Sequence, residues 1–387
     1  MKRLTIYLAF ISCPLALVLA GCGALPSAAG QKGEGREPAV FTAAEWNLQA
    51  LFDGQEAGNE YAEYREAAGW TAEKYAARIT AFSQAVLQMA SLPMAGEEAP
   101  SKQKIPDLIG FLEVENTGVL GDLAGGALSK QGYSWIAFAN LPGSSLGIGF
   151  ISRYPLVDVR AHSITVGKHT APRPVLELRL EPRGKALVFL LCHWKSKLGG
   201  DNATEAQRRS SARVVQRRLR ELKLTEPDTP VIVMGDLNEN HDEFYRRSVF
   251  SALLPDDPDA AELAARISKE AKSCLGAADF LVLSGEKPPR SIYFSDDVEA
   301  LYSPWDDDLT DGSYYYKDSW ETIDHVLLSD ALFNGQGWEY AGCRVLNQTP
   351  FTASSGTPYT YVPRSGRGLS DHLPLLVHLR YSEDVRD

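Results

Sequence analysis

The chain has 387 residues and a net formal charge of −11, with 44% hydrophobic and 10% aromatic residues. That content supports a sizeable buried core and speaks against a membrane or disordered class for the bulk of the chain. The acidic balance speaks against tight non-specific binding to nucleic acid, unless a locally basic cleft or a bound cation offsets it.

The first residues, Met1-Lys2-Arg3, are basic, and an apolar run broken by Pro14 follows to Ala20. The run is too short and wrongly flanked for an ordinary membrane span and reads as a secretory signal. It ends in Leu19-Ala20-Gly21-Cys22. The small residues before Cys22 resemble the lipobox of bacterial lipoproteins; a plain signal peptide with an incidental cysteine is the alternative. The resemblance implies cleavage before Cys22 and acylation of that cysteine. It also implies a lipid anchor in the bacterial cell envelope, on the periplasmic face or the cell surface. Residues 24–38 are small, polar and Gly-rich, which suits a flexible tether. The expected organisation is a signal over 1–21, a tether over 22–38 and one domain over 39–387, with no clear linker inside it.

Within that domain, residues 40–46 read as a strand ending at Asn47. Residues 71–91 predict a helix, because Tyr75, Ile79, Phe82, Val86 and Met89 recur at steps of three and four. Residues 108–112 form a short buried strand that delivers Glu113. Residues 134–140 and 146–152 read as strands around a Pro-Gly-Ser turn. Residues 175–180 and 186–192 flank Glu181-Pro182-Arg183-Gly184-Lys185, a hairpin signal. Thr204 is placed to cap a helix running to about Leu222. Residues 231–234 are a fully apolar strand before Gly235-Asp236. Residues 251–320 are less regular, with a helix near 260–272. Late strands are expected over 323–329 and 373–379. Many strands in one core, without steady βαβ alternation, make an α+β class with packed sheets.

Short polar motifs end these apolar runs. In Gly235-Asp236-Leu237-Asn238 the glycine allows a sharp turn and alternation points Asp236 and Asn238 to one side. A carboxylate beside an amide can orient a water and a phosphate oxygen near a metal; a plain turn is the competing reading. In Ser370-Asp371-His372 one side chain can touch a metal while the imidazole moves a proton. Asp324 opens a strand, as a carboxylate that fixes an imidazole tautomer would; His325 alternates to the other face and reads as structural. His193 ends a strand and is followed by Lys195, Ser196 and Lys197, which can bind phosphate oxygens. Glu113 and Asn47 end strands too, and alone each is unremarkable.

Together the motifs Trp46-Asn47-Leu48, Leu112-Glu113, His193, Gly235-Asp236-Leu237-Asn238, Ile323-Asp324 and Ser370-Asp371-His372 resemble, in order and content, the endonuclease/exonuclease/phosphatase superfamily with its DNase-I-like fold. The resemblance runs from about Ala39 to Tyr381. Gly312-Ser313-Tyr314-Tyr315-Tyr316 ahead of Trp320 is also similar to secreted bacterial members. The resemblance implies a four-layer α/β/β/α sandwich of two mixed sheets flanked by helices. It implies that Asn47 and Glu113 hold Mg²⁺ or Mn²⁺ with Asp371 near it, a second divalent ion being a further option. It gives Asp236 and Asn238 the attacking water, His193 and His372 the scissile phosphate, and Asp324 the orientation of His372. Hard oxygen donors agree with those cations rather than zinc. Arg153, Lys195 and Lys197 are candidates for substrate binding. A DNA-binding tyrosine or basic loop, which many nuclease members carry, is not assignable here.

The function expected is a divalent-metal-dependent phosphoesterase, an endonuclease first, hydrolysing phosphodiesters with an activated water. A phospholipid, sphingomyelin or sugar-phosphate phosphoesterase is the alternative within that chemistry, and a catalytically silent lipid-anchored binding protein is the alternative outside it. The expected partners are the phosphodiester substrate, nucleic acid included, and a membrane through the lipid; the chain is expected to be a monomer. Asp306-Asp307-Asp308 lacks the spacing of a calcium loop and reads as a solvated acidic loop. Cys192 reads as a buried small residue, and Cys274 and Cys343 have the option of pairing.

Overall fold

Alternating apolar strands need two faces to bury, and here each face of each sheet finds a partner. The computed structural model describes residues 5–10 (backbone only), 40–89, 105–270, 279–295, 297–307 and 309–383. One seven-stranded sheet has the order Thr5–Phe10, Trp135–Asn140, Gly147–Ser152, Leu108–Val114, Val40–Leu51, Leu375–Ser382, Gly337–Val345. The second, with eight strands, runs Leu253–Pro255, Leu281–Ser284, Ala300–Tyr302, Asp324–Leu328, Val231–Asp236, Leu187–His193, Val175–Leu180, Asp158–His162. Both sheets are mixed: Val40–Leu51 lies parallel to Leu108–Val114, and Leu187–His193 parallel to Val231–Asp236, amid antiparallel neighbours.

The sheets pack face to face through Phe41, Phe150, Phe189, Leu191, Ile232, Met234, Val326 and Leu328. Helix Ala72–Met89 covers the outside of the first sheet with Ile79, Phe82, Val86 and Met89, four of the five residues the periodicity picks out. Helix Asp201–Thr225 covers the second, setting Ala212, Val215, Leu219 and Leu222 against Val188, Leu190, Cys192, Val231 and Val233. The result is the four-layer α/β/β/α sandwich of two mixed sheets.

Several boundaries differ from the sequence reading for local reasons. The helix placed after Thr204 starts at Asp201, because Gly199 and Gly200, at φ +104° and +106°, end the preceding loop sooner. Thr204 therefore lies inside it, its hydroxyl donating back to the carbonyls of Gly200 and Asp201 at 3.0 and 3.2 Å. The helix expected over 260–272 is Pro258–Glu270. Strands of three or four residues, Leu253–Pro255, Leu281–Ser284, Ala300–Tyr302, Tyr314–Tyr316 and Ser319–Glu321, lie in or at the end of the segment that looked irregular, since so short a run shows no period.

Thr5–Phe10, inside the segment read as a signal, pairs antiparallel with Trp135–Asn140. Cys22, the tether and Cys274 lie outside the described residues. Cys192 is buried and Cys343 half-buried, both as free thiols. Among the described residues no helix is long and apolar enough to cross a membrane.

Candidate active site

Register brings three chemistry-bearing residues into one row. His193 stands opposite Asp236, and Asp236 opposite Asp324, on three neighbouring strands. Alternation sends Val188, Leu190 and Cys192 to the outer helix, so His193 faces the interior between the sheets, and the same parity turns Asp236 and Asp324 inward. Gly235 is obligatory in that row. It holds φ +123°, and a Cβ there would come within 2.1 Å of the Cys192 carbonyl oxygen on the parallel neighbour.

The first sheet answers with Asn47 and Glu113. Asn47 donates from Nδ2 to Asp236 Oδ2 at 3.1 Å, joining the two sheets at this end. Glu113 needs a device. Gly110 faces the second sheet, where a Cβ would lie 2.7 Å from the Leu191 side chain. Simple alternation would therefore turn Glu113 outward, away from the site. Instead the register shifts between Leu112 and Val114, with Glu113 at φ +59°, and this bulge re-aims the carboxylate. Its Oε2 accepts from the Ala50 N–H at 2.8 Å, and its Oε1 lies 3.7 Å from His193 Nε2.

His372 completes the cluster from the loop before Leu375–Ser382. Nδ1 donates to Asp324 Oδ2 at 2.8 Å, and Ser313 Oγ donates to the same oxygen at 2.6 Å. Tyr314 stacks on the imidazole with centroids 4.6 Å apart. The loop is tied down by Ser370 Oγ donating to the Asn47 carbonyl at 2.6 Å and by the Trp46 indole donating to the His372 carbonyl at 3.0 Å.

The two imidazoles are in opposite states. Burial works against a charge on His372, but the Asp324 carboxylate overcomes it and holds the ring protonated well above the ordinary range. Burial, with the Arg173 guanidinium and His372 close by, pushes His193 well below that range, so it is neutral. Arg173 Nη1 lies 3.1 Å from His193 Nδ1. A guanidinium only donates, so Nδ1 accepts and the proton sits on Nε2, which is 3.6 Å from Asp236 Oδ2. Asp236 is pushed up to about 7 by burial and by the neighbouring Asp324 charge. Burial also raises Glu113. Glu45, two residues before Asn47 on its strand, is fully buried with neither carboxylate oxygen bonded, and burial with the Asp324 charge raises it well above its ordinary value.

Of the residues proposed from sequence, Asn47, Glu113, His193, Asp236, Asp324 and His372 come together, and Asn238 and Asp371 border them. The Asn238 N–H donates to Asp236 Oδ1 at 2.9 Å, and Asp371 Oδ1 lies 3.9 Å from His372 Nε2. Lys195 is close enough to press on His193 electrostatically. Lys197 is paired with buried Glu243 at 2.8 Å. Arg153 is not in the cleft: it pairs with Asp107, at the start of the Leu108–Val114 strand and the far end of the sheet from Glu113. Sequence reasoning missed Arg173, whose one signal is its rigid setting, Pro172-Arg173-Pro174. It quoted Ser313 and Tyr314 without giving them a role.

Hard oxygens dominate the cluster: Glu113, Asp236, Asp324, Asp371 and the Asn47 amide. Asp324 Oδ1 and Asp371 Oδ1 are buried without a hydrogen-bond partner. A divalent cation of the Mg²⁺ class fits such a donor set. Asp236, Asp324 and His372 bring ligand atoms within 4.8 Å of one another. A protonated imidazole cannot ligate, so in this hydrogen-bonded state His372 is not itself a ligand.

A family model described as "Endonuclease/Exonuclease/phosphatase family" matches residues 42–279, more than half of the chain. A comparison with curated protein sequences gives no match. Among solved structures, truncated TDP2 from Caenorhabditis elegans is similar at 13% identity and TM-score 0.50, over 88% of this chain and 97% of that one. An endonuclease/exonuclease/phosphatase from Beutenbergia cavernae is similar at 16% identity and TM-score 0.46, over 89% and 72%. The mannosyl-6-phosphatase Bt3783 of Bacteroides thetaiotaomicron gives 15% and 0.46, over 88% and 99%. At such identities the likeness is one of fold. The extent of the family match by itself shows that the chain belongs to the endonuclease/exonuclease/phosphatase family.

Proposed function

We propose that the chain is a divalent-metal-dependent phosphodiesterase that hydrolyses its substrate by in-line attack of an activated water. The observation that carries this reading is the pairing of a protonated His372 with a neutral His193 across a carboxylate row, where Asn47 of one sheet meets Asp236 of the other. Asn47 and Glu113, with Asp371 beside them, would hold Mg²⁺ or Mn²⁺. Bound there, the cation supplies fixed positive charge opposite the charge that develops on the phosphoryl oxygens. Asp236 accepts the proton of the attacking water, and Asn238 fixes the carboxylate through its N–H. His193 donates Nε2–H and His372 its charged Nε2–H to the scissile phosphate, which costs little reorganisation because both rings are already pinned. Arg173 and Lys195 add charge at the phosphate side.

The endonuclease reading and the phospholipid or sugar-phosphate reading share this chemistry. Arg153 at the far end and Lys197 in an ion pair leave Arg173 and Lys195 as the candidate cations near the cleft. That, with the net charge of −11, favours a substrate gripped at one phosphate over a long polyanion track. The test is turnover of plasmid DNA, RNA, sphingomyelin, inositol phosphates and a bis-aryl phosphodiester, each with and without EDTA. Turnover is expected to stop in EDTA and to return with Mg²⁺ or Mn²⁺; undiminished rates in EDTA would sink the metal mechanism.

The N-terminal reading belongs to the same proposal. Cys22, following Leu19-Ala20-Gly21 and preceded by a basic, apolar segment, is the acylated anchor, and the domain works at the cell envelope. Cys22→Ser is expected to shift the protein from the membrane fraction to the soluble fraction and to abolish incorporation of labelled fatty acid. Equal membrane retention without lipid would show that the anchor lies elsewhere.

A further inference from the structure

Arg78 is a buried cation on which the neighbouring Asp371 carboxylate acts only through space. It lies on helix Ala72–Met89, 2% exposed, and among the described residues no carboxylate pairs with it. Burying a guanidinium this way is costly unless its donors are met. Three consecutive backbone carbonyls meet its two Nη groups, while Nε is buried without a partner. Nη2 donates to Leu48 at 2.6 Å and to Gln49 at 2.7 Å, and Nη1 donates to Ala50 at 2.9 Å. The Tyr361 ring covers the guanidinium at 3.9 Å, with Phe82 and Tyr64 further out at 5.4 and 5.8 Å.

Those carbonyls belong to the bulge between Asn47 and Leu51. Gln49 and Ala50 sit there at φ +51° and +56°, a left-handed conformation that two successive non-glycine residues hold only with outside support. In a trans peptide the carbonyl and the following N–H point in opposite directions. The peptide from Leu48 to Gln49 has its carbonyl on Arg78, and its N–H donates to Asn47 Oδ1 at 3.1 Å. The next peptide, from Gln49 to Ala50, has its carbonyl on Arg78, and its N–H donates to Glu113 Oε2 at 2.8 Å. Asn47 and Glu113 are thus each held by a peptide whose other end Arg78 grips. The Gln49 side chain locks the same turn, donating to the Tyr361 carbonyl at 3.1 Å and accepting from the Tyr361 N–H at 2.8 Å.

We propose that Arg78 is a positioning residue for the cation site: it orients two successive peptides so that their N–H groups fix Asn47 and Glu113 in their binding geometry. The inference rests on the reading of those two residues as cation holders. Lysine cannot replace it, because one ammonium does not span three carbonyls in a fixed fork.

The test is calorimetric titration of the metal-free full chain with Mn²⁺, with circular dichroism and thermal melts beside it, on wild type, Arg78→Lys and Tyr361→Leu. Arg78→Lys is expected to weaken Mn²⁺ binding by about tenfold or more in folded protein, as loss of a group that orients metal ligands does. Saturating Mn²⁺ should then restore much of the lost turnover. Tyr361→Leu loosens the guanidinium without removing it and should weaken binding by a smaller factor. A purely structural Arg78 predicts lower melting temperatures with unchanged Mn²⁺ affinity, and that result overturns the proposal. If Arg78→Lys does not fold, Tyr361→Leu decides alone: weaker binding supports the role and wild-type affinity overturns it. A wild-type chain that binds no Mn²⁺ overturns the cation site itself, a different failure.

Discussion

Replacing Asp324 by Asn or His372 by Ala is expected to lower kcat by about a thousandfold in either case, and combining the two to cost little more. Asp324 Oδ2 takes the Nδ1 proton at 2.8 Å, which fixes the tautomer, the ring plane and the charge of His372 together. Without the carboxylate, a ring that is 7% exposed loses the partner that keeps it protonated. Without the ring, Asp324 has nothing to orient. The two side chains then act as one unit, and the double variant should fall far short of the product of the single losses. Ser313 Oγ remains to satisfy Asp324 Oδ2 in His372→Ala, so that variant should fold. Steady-state kcat for all three variants, with thermal melts, separates the outcomes. Multiplicative losses with folding intact would falsify the paired role. Lost stability with turnover per folded molecule preserved would make the pair structural.

Motifs at the ends of apolar runs were legible because the physics that buries a strand also fixes where it must stop. His193, Asp236 and Asp324 each follow or open such a run, and it is the fold that turns all three to one face. Their alignment was not legible, since register depends on which strands are neighbours. Glu113 shows the limit more sharply. Its position at a strand end was readable, but strict alternation aims it away from the site, and only the bulge at φ +59° brings it back.

Arg153 failed for a related reason. It follows Gly147–Ser152, which runs antiparallel to Leu108–Val114, so it emerges at the end of the sheet opposite Glu113. Strand direction is not written in local sequence. Lys197 pairs with Glu243, 46 residues away in sequence, a partner its local setting does not announce. Arg173, Arg78 and Glu45 were silent because an arginine between prolines, an arginine on an amphipathic helix and a glutamate in a strand all have ordinary uses. Each acquires meaning only from what faces it across the sandwich. In the proposed mechanism the two arginines would divide the labour: Arg173 would set the proton of His193, and Arg78 the backbone under Asn47 and Glu113.

Asp236→Asn is expected to remove most turnover and to make the metal-free protein more stable, and the two effects have one cause. Asp236 is 2% exposed and stands in register beside Asp324, with Glu45 also buried nearby. Burial and the Asp324 charge raise its carboxyl from 3.8 to about 7. A carboxyl whose folded value lies above its unfolded value binds more protons in the native state through that interval. Stability therefore falls as pH rises from about 4 to about 7, and the full penalty is present above about 7. Asparagine carries no charge at any of these pH values and keeps the shape. In EDTA its melting temperature should match wild type near pH 4 and exceed it by several degrees near pH 8, as relief of a few kcal/mol does in a chain of this size. Asn238 can still donate its N–H to the amide oxygen, so the turn should hold, while the Asn47 Nδ2 then faces an amide NH2 instead of an acceptor, which takes back part of the gain. Turnover with saturating Mg²⁺ or Mn²⁺ should nevertheless drop by about a thousandfold, because an amide cannot take the proton of the attacking water. Activity loss with a melting temperature that is lower at every pH would mean that Asp236 is a structural carboxylate. A higher melting temperature with turnover intact would place the general base elsewhere, and Glu113 would be the next residue to replace.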